Sequence, residues 1–404
     1  MSKQVQQGQQ QGQQEPEGQR NLSEITTLSD ITTMGVGGPA DRFIVARTRD
    51  EILEGVQEAD AAGTPLLIVG GGSNLVIADE GYRGTVLQIA TRGITVGEED
   101  QPGQDAAVGG EGAGTSDATQ AAAGDGIVPV TIEAGHPWDE AVAWTVEHEL
   151  GGLEALSGIP GAAGATPVQN VGAYGADVSN TLLSIEAWDR HEGKLVTLQA
   201  SELDLTYRNS VLKRATQNGS PRWVVLAVTF GLKRGKALPV AYDQLARALN
   251  VGLGTRVSLA EVRTAVLGLR RSKGMVLEAG DPDTNSCGSF FMNPIVEESL
   301  TAALPADAPR YPAGKDGYVK LSAAWLIDHA GYHKGFGMKG QPGEEIAGGR
   351  ASLSSKHTLA VTNQGGASCA DVVALARAVR DGVKEAWGIE LHHEPLLIGT
   401  SLDA

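Results

Sequence analysis

Nineteen consecutive residues, 157–175, carry no charge, place glycine at 158, 161, 164, 172 and 175, and hold proline at 160 and 167. Between these backbone breakers stand the apolar Ile159, Val168 and Val171. Such a run is an uncommon way to build a core, and its apolar side chains speak against a flexible linker. Two readings compete: backbone brought close against a flat ligand, or a purely structural series of turns. The whole chain shares the bias, since 54 of its 404 residues are glycine, about twice the usual share of roughly 7%.

Length and composition bound the rest. A chain near 400 residues has apolar mass for two or three domains by the rough 100–200-residue rule. The 32 basic residues face 49 acidic ones, for a formal net charge of -17. That argues against nucleic acid as a partner, because tracking a phosphate backbone needs a basic face. A small anionic ligand stays open, since a few arginines or a helix N-terminus can hold a phosphate in an acidic protein. Two cysteines, Cys287 and Cys369, make a disulfide framework implausible and fit a reducing compartment. No apolar run approaches the 18 residues of a membrane span, and the N-terminus lacks the apolar region of a secretory signal. A cytoplasmic protein without membrane insertion is expected.

Residues 1–21, dominated by Gln, Gly and Glu, cannot bury enough apolar surface to order themselves and read as a disordered tail. Residues 98–125 hold seven acidic residues and no Lys or Arg. They read as a hairpin-loop insertion, with an acidic docking loop as the alternative. Strands are expected over 42–46, 65–69, 84–89, 127–134, 184–189, 193–197 and 223–232. Helices are expected over 51–62, 137–149, 257–271, 320–330 and 369–387. Thr48 and Glu51 form a capping box, and Ile52, Leu53, Val56 and Ala59 share one face of the first helix. Leu259, Val262, Val266 and Leu269 do so later, and Ser368, Asp371 and Gly388 bracket the last helix. The fold class is α+β.

Chemistry concentrates in a few places. The loop Gly70, Gly71, Gly72, Ser73, Asn74 follows a strand, and its small residues can aim successive N–H groups at a phosphate. It is neither Gly-x-Gly-x-x-Gly nor a Walker loop, and a tight hairpin turn is the competing reading. With no dinucleotide fingerprint, any nicotinamide cofactor is held in some other manner. Tyr207-Arg-Asn-Ser210 is a polar cluster in which Arg208 is either a site residue or a solvated charge. Ser289, beside Phe290 and Phe291, either donates a proton or caps a turn. Arg270, Arg271 and Lys273 suit a diphosphate or simply a solvated helix end. Metal binding is not expected: the adjacent His392 and His393 point oppositely on a strand, and His329 and His333 are separated by Gly331. These features alone reach a nucleotide-binding α+β enzyme.

Taken in order, the segments resemble the UDP-N-acetylenolpyruvoylglucosamine reductase family over residues 22–404 apart from the insertion. The matching pieces are Thr32-Thr-Met-Gly-Val-Gly-Gly38, Val69-Gly-Gly-Gly-Ser-Asn-Leu75, the 157–175 run, Tyr207-Arg-Asn-Ser210, Ser286-Cys-Gly-Ser-Phe-Phe-Met-Asn-Pro294, Ala324-Trp-Leu-Ile327 and His393-Glu-Pro395. The resemblance implies an FAD-binding fold of the vanillyl-alcohol-oxidase type in two subdomains plus a C-terminal substrate-binding α+β domain. The first subdomain would span 22–91, completed by 388–404, the second 92–271, and the substrate domain 272–387. FAD would be held non-covalently by Gly70, Gly71, Gly72, Ser73, Asn74, Ile159, Pro160, Gly161, Gly164, Gln169, Asn170, Gly172, Ala173 and Tyr174.

The implied reaction reduces UDP-N-acetylglucosamine enolpyruvate to UDP-N-acetylmuramate, a precursor of peptidoglycan. NADPH is the co-substrate: its hydride goes to flavin N5 and then to C3 of the enolpyruvyl group, with protonation at C2. By resemblance the catalytic residues are Arg208 on the substrate carboxylate, Glu394 polarising the intermediate, and Ser289 as proton donor. Tyr207, Tyr242, Lys273 and Asn293 match substrate positions, and Tyr242 places the chain in the type whose tyrosine loop closes over substrate. Met292 departs from the polar residue common at its position and is given no role. A monomer is expected. A sugar oxidase of the same flavin fold is the alternative, but many such oxidases tether flavin through a histidine near the phosphate loop, where this chain has none. A catalytically silent flavin or nucleotide binder would be expected to lack one of the three catalytic residues.

Overall fold

The structure, a computed structural model, describes residues 27–99 and 126–403. The expected disordered tail and all but Glu98 and Glu99 of the acidic insertion lie outside the described residues. Strand β1 (Ala40–Ala46) is followed by helix α1 (Arg49–Ala62) and β2 (Leu66–Val69). Glu51 closes the capping box with Thr48, and Gly63, left-handed at φ 64°, ends the helix. α1 buries Ile52, Val56 and Ala59, and Gly55 lets it lie close on the sheet, since a Cβ there would come 2.5 Å from Leu87 Cδ1. β1 and β2 both pair parallel with β4 (Tyr82–Ile89), in the order β1-β4-β2.

β3 (Leu75–Ile77) leaves that sheet. It pairs parallel with Leu396–Ile398, some 320 residues on in the register Leu75 to Leu396. The hairpin reading of 70–74 is therefore corrected: β2 and β3 belong to different sheets, and the loop spans between them. Asp79, just beyond β3, accepts from the amides of Cys369 at 2.7 Å and Ala370 at 3.1 Å. A carboxylate so placed satisfies open amides at the start of the long helix Cys369–Trp387 and complements its dipole.

A second, antiparallel sheet is built on the strand Trp223–Arg234, flanked by Leu182–Asp189 and β6 (Ile127–Glu133). β5 (Ile94–Val96) pairs with β6, so the insertion joins two hairpin partners, as expected, with β5 rather than β4 on its near side. Arg49, the first residue of α1, ties that helix to the second sheet, 3.0 Å from Glu133 and 2.8 Å from Glu186. The third region has its own core around Phe290, Phe291, Leu326 and the buried face of Cys369–Trp387, where Val372, Leu375, Val379 and Val383 are all buried. The helix expected over 320–330 is shorter. Residues Tyr318–Leu321 form a strand, Ser322 caps, and the helix runs Ala323–His329. Among the described residues no helix is long and apolar enough to cross a membrane.

Asp189 closes the strand Leu182–Asp189 with a buried carboxylate. It accepts from Arg222 at 2.7 Å, Trp223 Nε1 at 2.9 Å and the amides of His191 and Glu192. Arg222, then those amides, hold its carboxyl at about 2. The folded value is below the unfolded one, so this stabilisation is complete above about pH 4 and disappears as pH falls towards 2. The melting-temperature gap between the chain and Asp189→Asn is therefore expected to be widest near neutrality and to narrow across that window.

Candidate functional site

The two glycine-rich segments meet backbone to backbone. A Cβ on Gly70 would come 2.8 Å from Ala162 Cβ, and one on Gly71 would come 2.7 Å from Gly161 Cα. Ser73 Oγ donates to Pro160 O at 3.0 Å. Within this junction the amides of Gly71, Gly72, Ser73 and Asn74 donate to no acceptor among the described residues. A row of open amides in a cradle that any side chain would fill is suited to an anion such as a pyrophosphate. The bordering side chains, Ser73 and Asn74, are neutral and short, so the residues present fit the diphosphate of FAD.

From Asn74 a polar chain runs to the expected catalytic residues. Asn74 Nδ2 donates to Gln169 Oε1 at 3.2 Å, and Gln169 Nε2 donates to Glu394 Oε1 at 3.3 Å. Arg208 Nε stands 2.9 Å from the same Glu394 oxygen. Its N–H is not aligned for a hydrogen bond, so the contact is an ion pair. The other guanidinium nitrogens donate to Asn170 O at 3.3 Å and Gly172 O at 2.9 Å. Strand pairing fixes Glu394: its amide donates to Phe290 O at 2.8 Å, and Phe291 bridges His393. Burial raises the Glu394 carboxyl above the usual range, against the opposite pull of Arg208 and Lys213.

Arg208 occupies the third position of a tight turn in which Thr206 and Asn209 exchange backbone hydrogen bonds. Its φ of 54° is left-handed, a conformation costing a non-glycine residue on the order of 1–3 kcal/mol and found chiefly where the surroundings enforce it. Lys213 Nζ donates to the Arg208 carbonyl at 3.1 Å. Sequence reasoning did not single out Lys213; the only signal was its place three residues after Ser210, the cap of the short helix Val211–Arg214.

A second cluster lies along the 157–175 run. Tyr174, also left-handed at φ 52°, meets Tyr242 edge-on with ring centroids 5.8 Å apart. Lys273 Nζ lies 5.6 Å from the Tyr174 ring and donates to Gln244 at 2.8 Å. Arg270 is buried, correcting the solvated-helix-end reading at that position, while Leu269 packs against the core with Leu259, Val262 and Val266 as expected and Arg271 pairs outside with Glu278. Burial, then Arg270, lowers the Lys273 ammonium. His357, pushed down to about 4 by burial and then by Lys273 and Lys334, stays neutral. Its Nδ1 accepts from the Leu359 amide, leaving the proton on Nε2. Tyr207, beside Arg208, reaches the third region: its hydroxyl accepts from the Asn293 amide at 3.4 Å, and Lys320 Nζ lies 5.1 Å from its ring.

Several expected residues are already committed to the fold. Gly164 packs on Ala134, where a Cβ would come within 2.5 Å. The buried Asn170 side chain is spent on Thr206 O and the Ser179 amide. Asn293 Oδ1 accepts from the Ala323 amide, leaving its NH2. Ser289, half-buried after the left-handed Gly288, has a hydroxyl with no partner among the described residues. Cys287 is excluded as a nucleophile, since burial pushes its thiol up to about 12.

Residues 281–398 match the family model described as the UDP-N-acetylenolpyruvoylglucosamine reductase C-terminal domain, and 40–199 match an FAD binding domain. A UDP-N-acetylenolpyruvoylglucosamine reductase of Saccharopolyspora erythraea is 49% identical over 388 residues, covering 93% of this chain and 96% of that protein. The chain belongs to the UDP-N-acetylenolpyruvoylglucosamine reductase family. A second member, from Thermobifida fusca, is 45% identical and covers 93% of this chain and 97% of its own. The solved structure of the Thermus caldophilus reductase superposes with a TM-score of 0.57 at 23% identity, over 92% of this chain and 97% of that one. At that identity the likeness shows the fold, and the α+β expectation holds. As a reductase of this family the chain is an FAD-dependent oxidoreductase.

Proposed function

We propose that this chain reduces UDP-N-acetylglucosamine enolpyruvate to UDP-N-acetylmuramate with NADPH as co-substrate, and that Arg208, Glu394 and Ser289 act on the enolpyruvyl group. The observation that carries the reading is the shielded Arg208–Glu394 pair, joined through Gln169 to Asn74 of the glycine loop. Bound FAD, on Gly70–Asn74 and the 159–174 segment, supplies the hydride relay between NADPH and the sugar nucleotide.

The protein's task is electrostatic. Hydride addition at C3 drives electron density onto C2 and the adjoining carboxylate, and a fixed guanidinium in a water-poor site stabilises that charge without reorganising. Arg208 is so fixed, by two carbonyls and Glu394. Glu394, with its carboxyl raised by burial, polarises the same carboxylate end. A serine hydroxyl is a weak acid, so Ser289 donates only to a strongly basic C2 carbanion beside it. Lys273 serves the diphosphate, the free NH2 of Asn293 the sugar, and Tyr207 and Tyr242 flank the entering substrate. In this reading FAD is bound by residues 22–271 with 388–404, the sugar nucleotide by 272–387, and the enzyme works as a cytoplasmic monomer.

Anaerobic absorbance of the purified protein tests the function. NADPH is expected to bleach a flavin spectrum, and the enolpyruvyl sugar nucleotide to restore it. Bleaching without recovery would refute the acceptor. Ser289→Ala is expected to leave the bleaching rate alone and slow recovery by about 10²–10⁴. An unchanged recovery rate by stopped flow would remove Ser289 as the donor.

A further inference from the structure

Lys213 belongs to the Arg208 turn through both its backbone and its side chain. Its amide donates to Ser210 Oγ at 3.1 Å, and that hydroxyl donates onward to Val168 O at 2.5 Å. Its Nζ returns to the Arg208 carbonyl at 3.1 Å. The ammonium is half-buried, and burial, with Arg208 adding to it, lowers its pKa, an effect that the facing Glu394 offsets in part. The groups that face Glu394 are Arg208, Lys213, Tyr207 and Cys287, so only two are cations. With Glu394 ionised, Arg208 and Glu394 cancel, and a neutral pair offers little net attraction to an incoming carboxylate. Lys213 turns the group into a site of net charge +1, matched to one carboxylate.

We propose that Lys213 is a positioning residue of the reductase site, holding the Arg208 turn in its left-handed form and giving the Arg208–Glu394 pair the net positive charge that receives the substrate carboxylate. The inference rests on the roles of Arg208 and Glu394 proposed above.

Three variants of the holoenzyme separate the parts. Lys213→Gln keeps a donor for the carbonyl and loses the charge, Lys213→Met loses both, and Lys213→Arg keeps the charge. All three are expected to bleach with NADPH at the wild-type rate. Recovery on adding the sugar nucleotide is expected to slow on the order of tenfold or more in the Gln and Met variants, with the Arg variant much closer to wild type. UDP-N-acetylmuramate binding, followed by calorimetry, should weaken in the same two. The Glu394 limb of the pH profile of recovery should also move to higher pH in both, because one of the two facing cations is gone. Wild-type recovery and an unmoved limb in the Gln variant would overturn the charge role. Arg208→Ala, run in parallel, tells the two failures apart. Normal recovery there refutes the underlying reading, whereas crippled recovery beside normal Lys213 variants refutes this inference alone.

Discussion

Arg208→Ala is expected to bleach with NADPH at the wild-type rate and to pass the hydride on to the sugar nucleotide about 10²–10³-fold more slowly, the loss typical of removing one preorganised donor to a developing negative charge. The guanidinium is held off the chain by Asn170 O, Gly172 O and Glu394, none of which can replace it towards a ligand: all are acceptors. The backbone does not confound the comparison, because alanine is no better suited than arginine to φ 54°. Truncation also leaves Glu394 buried with Lys213 as its one remaining cation, so its carboxyl rises further and the pH profile of the second half-reaction shifts to higher pH. Arg208→Lys restores a charge without the two-pronged donor geometry and should recover only part of the rate. Equal loss in both half-reactions, measured by anaerobic stopped flow, would sink the assignment.

Local rules made much of this fold legible. Thr48 with Glu51 and Ser368 with Asp371 cap the helices that their spacing announces, and Gly63 and Gly388 end them. Open amides at helix ends need partners within a few residues, so the signal is contained in the sequence window. What was hidden depends on distant pairing. Nothing near Gly70–Asn74 tells that β3 joins Leu396–Ile398 rather than β2, and that pairing is what opens the loop towards Gly161. The helix expected over 320–330 takes in the last two residues of the strand Tyr318–Leu321, because that strand's partners, Ile295–Glu297 and Arg310–Pro312, arrive only by folding. For Arg270 the sequence leaves a diphosphate site and a solvated helix end both open, and its burial rules out the second. Its guanidinium instead turns inward and donates to Met275 O at 2.7 Å, a backbone partner beyond the helix end that helical spacing does not announce. Site residues with family motifs were nameable one by one, but Lys213 acquires its meaning only from the left-handed turn that brings its ammonium back onto Arg208.

Gly72→Ala is expected to yield a protein that loses FAD, with affinity down by at least about a hundredfold, the scale at which a displacement near 1 Å defeats a positioned site. Gly72 is left-handed at φ 63°, and a Cβ on it would fall 1.9 Å from Ile31 O and 3.0 Å from Thr32 Cα. Both are backbone atoms, so no side chain can swing away. The segment they belong to is itself fastened, with the Thr33 amide donating to Gly72 O at 3.1 Å. Relief therefore requires the loop to move off residues 31–33, which turns the open amides of Gly71–Asn74 away from Gly161 and Pro160. Gly63→Ala is the matched control. Gly63 has nearly the same φ, 64°, yet a Cβ there meets nothing within 4 Å, so the variant should cost only about 1 kcal/mol of left-handed strain and keep its flavin. Titration of each deflavinated variant with FAD, alongside its melting temperature, separates the two contributions. If both variants lost flavin alike, backbone strain alone would explain the effect and the close contact with Ile31 would count for nothing. Loss confined to Gly72→Ala would assign the cradle to the missing side chain.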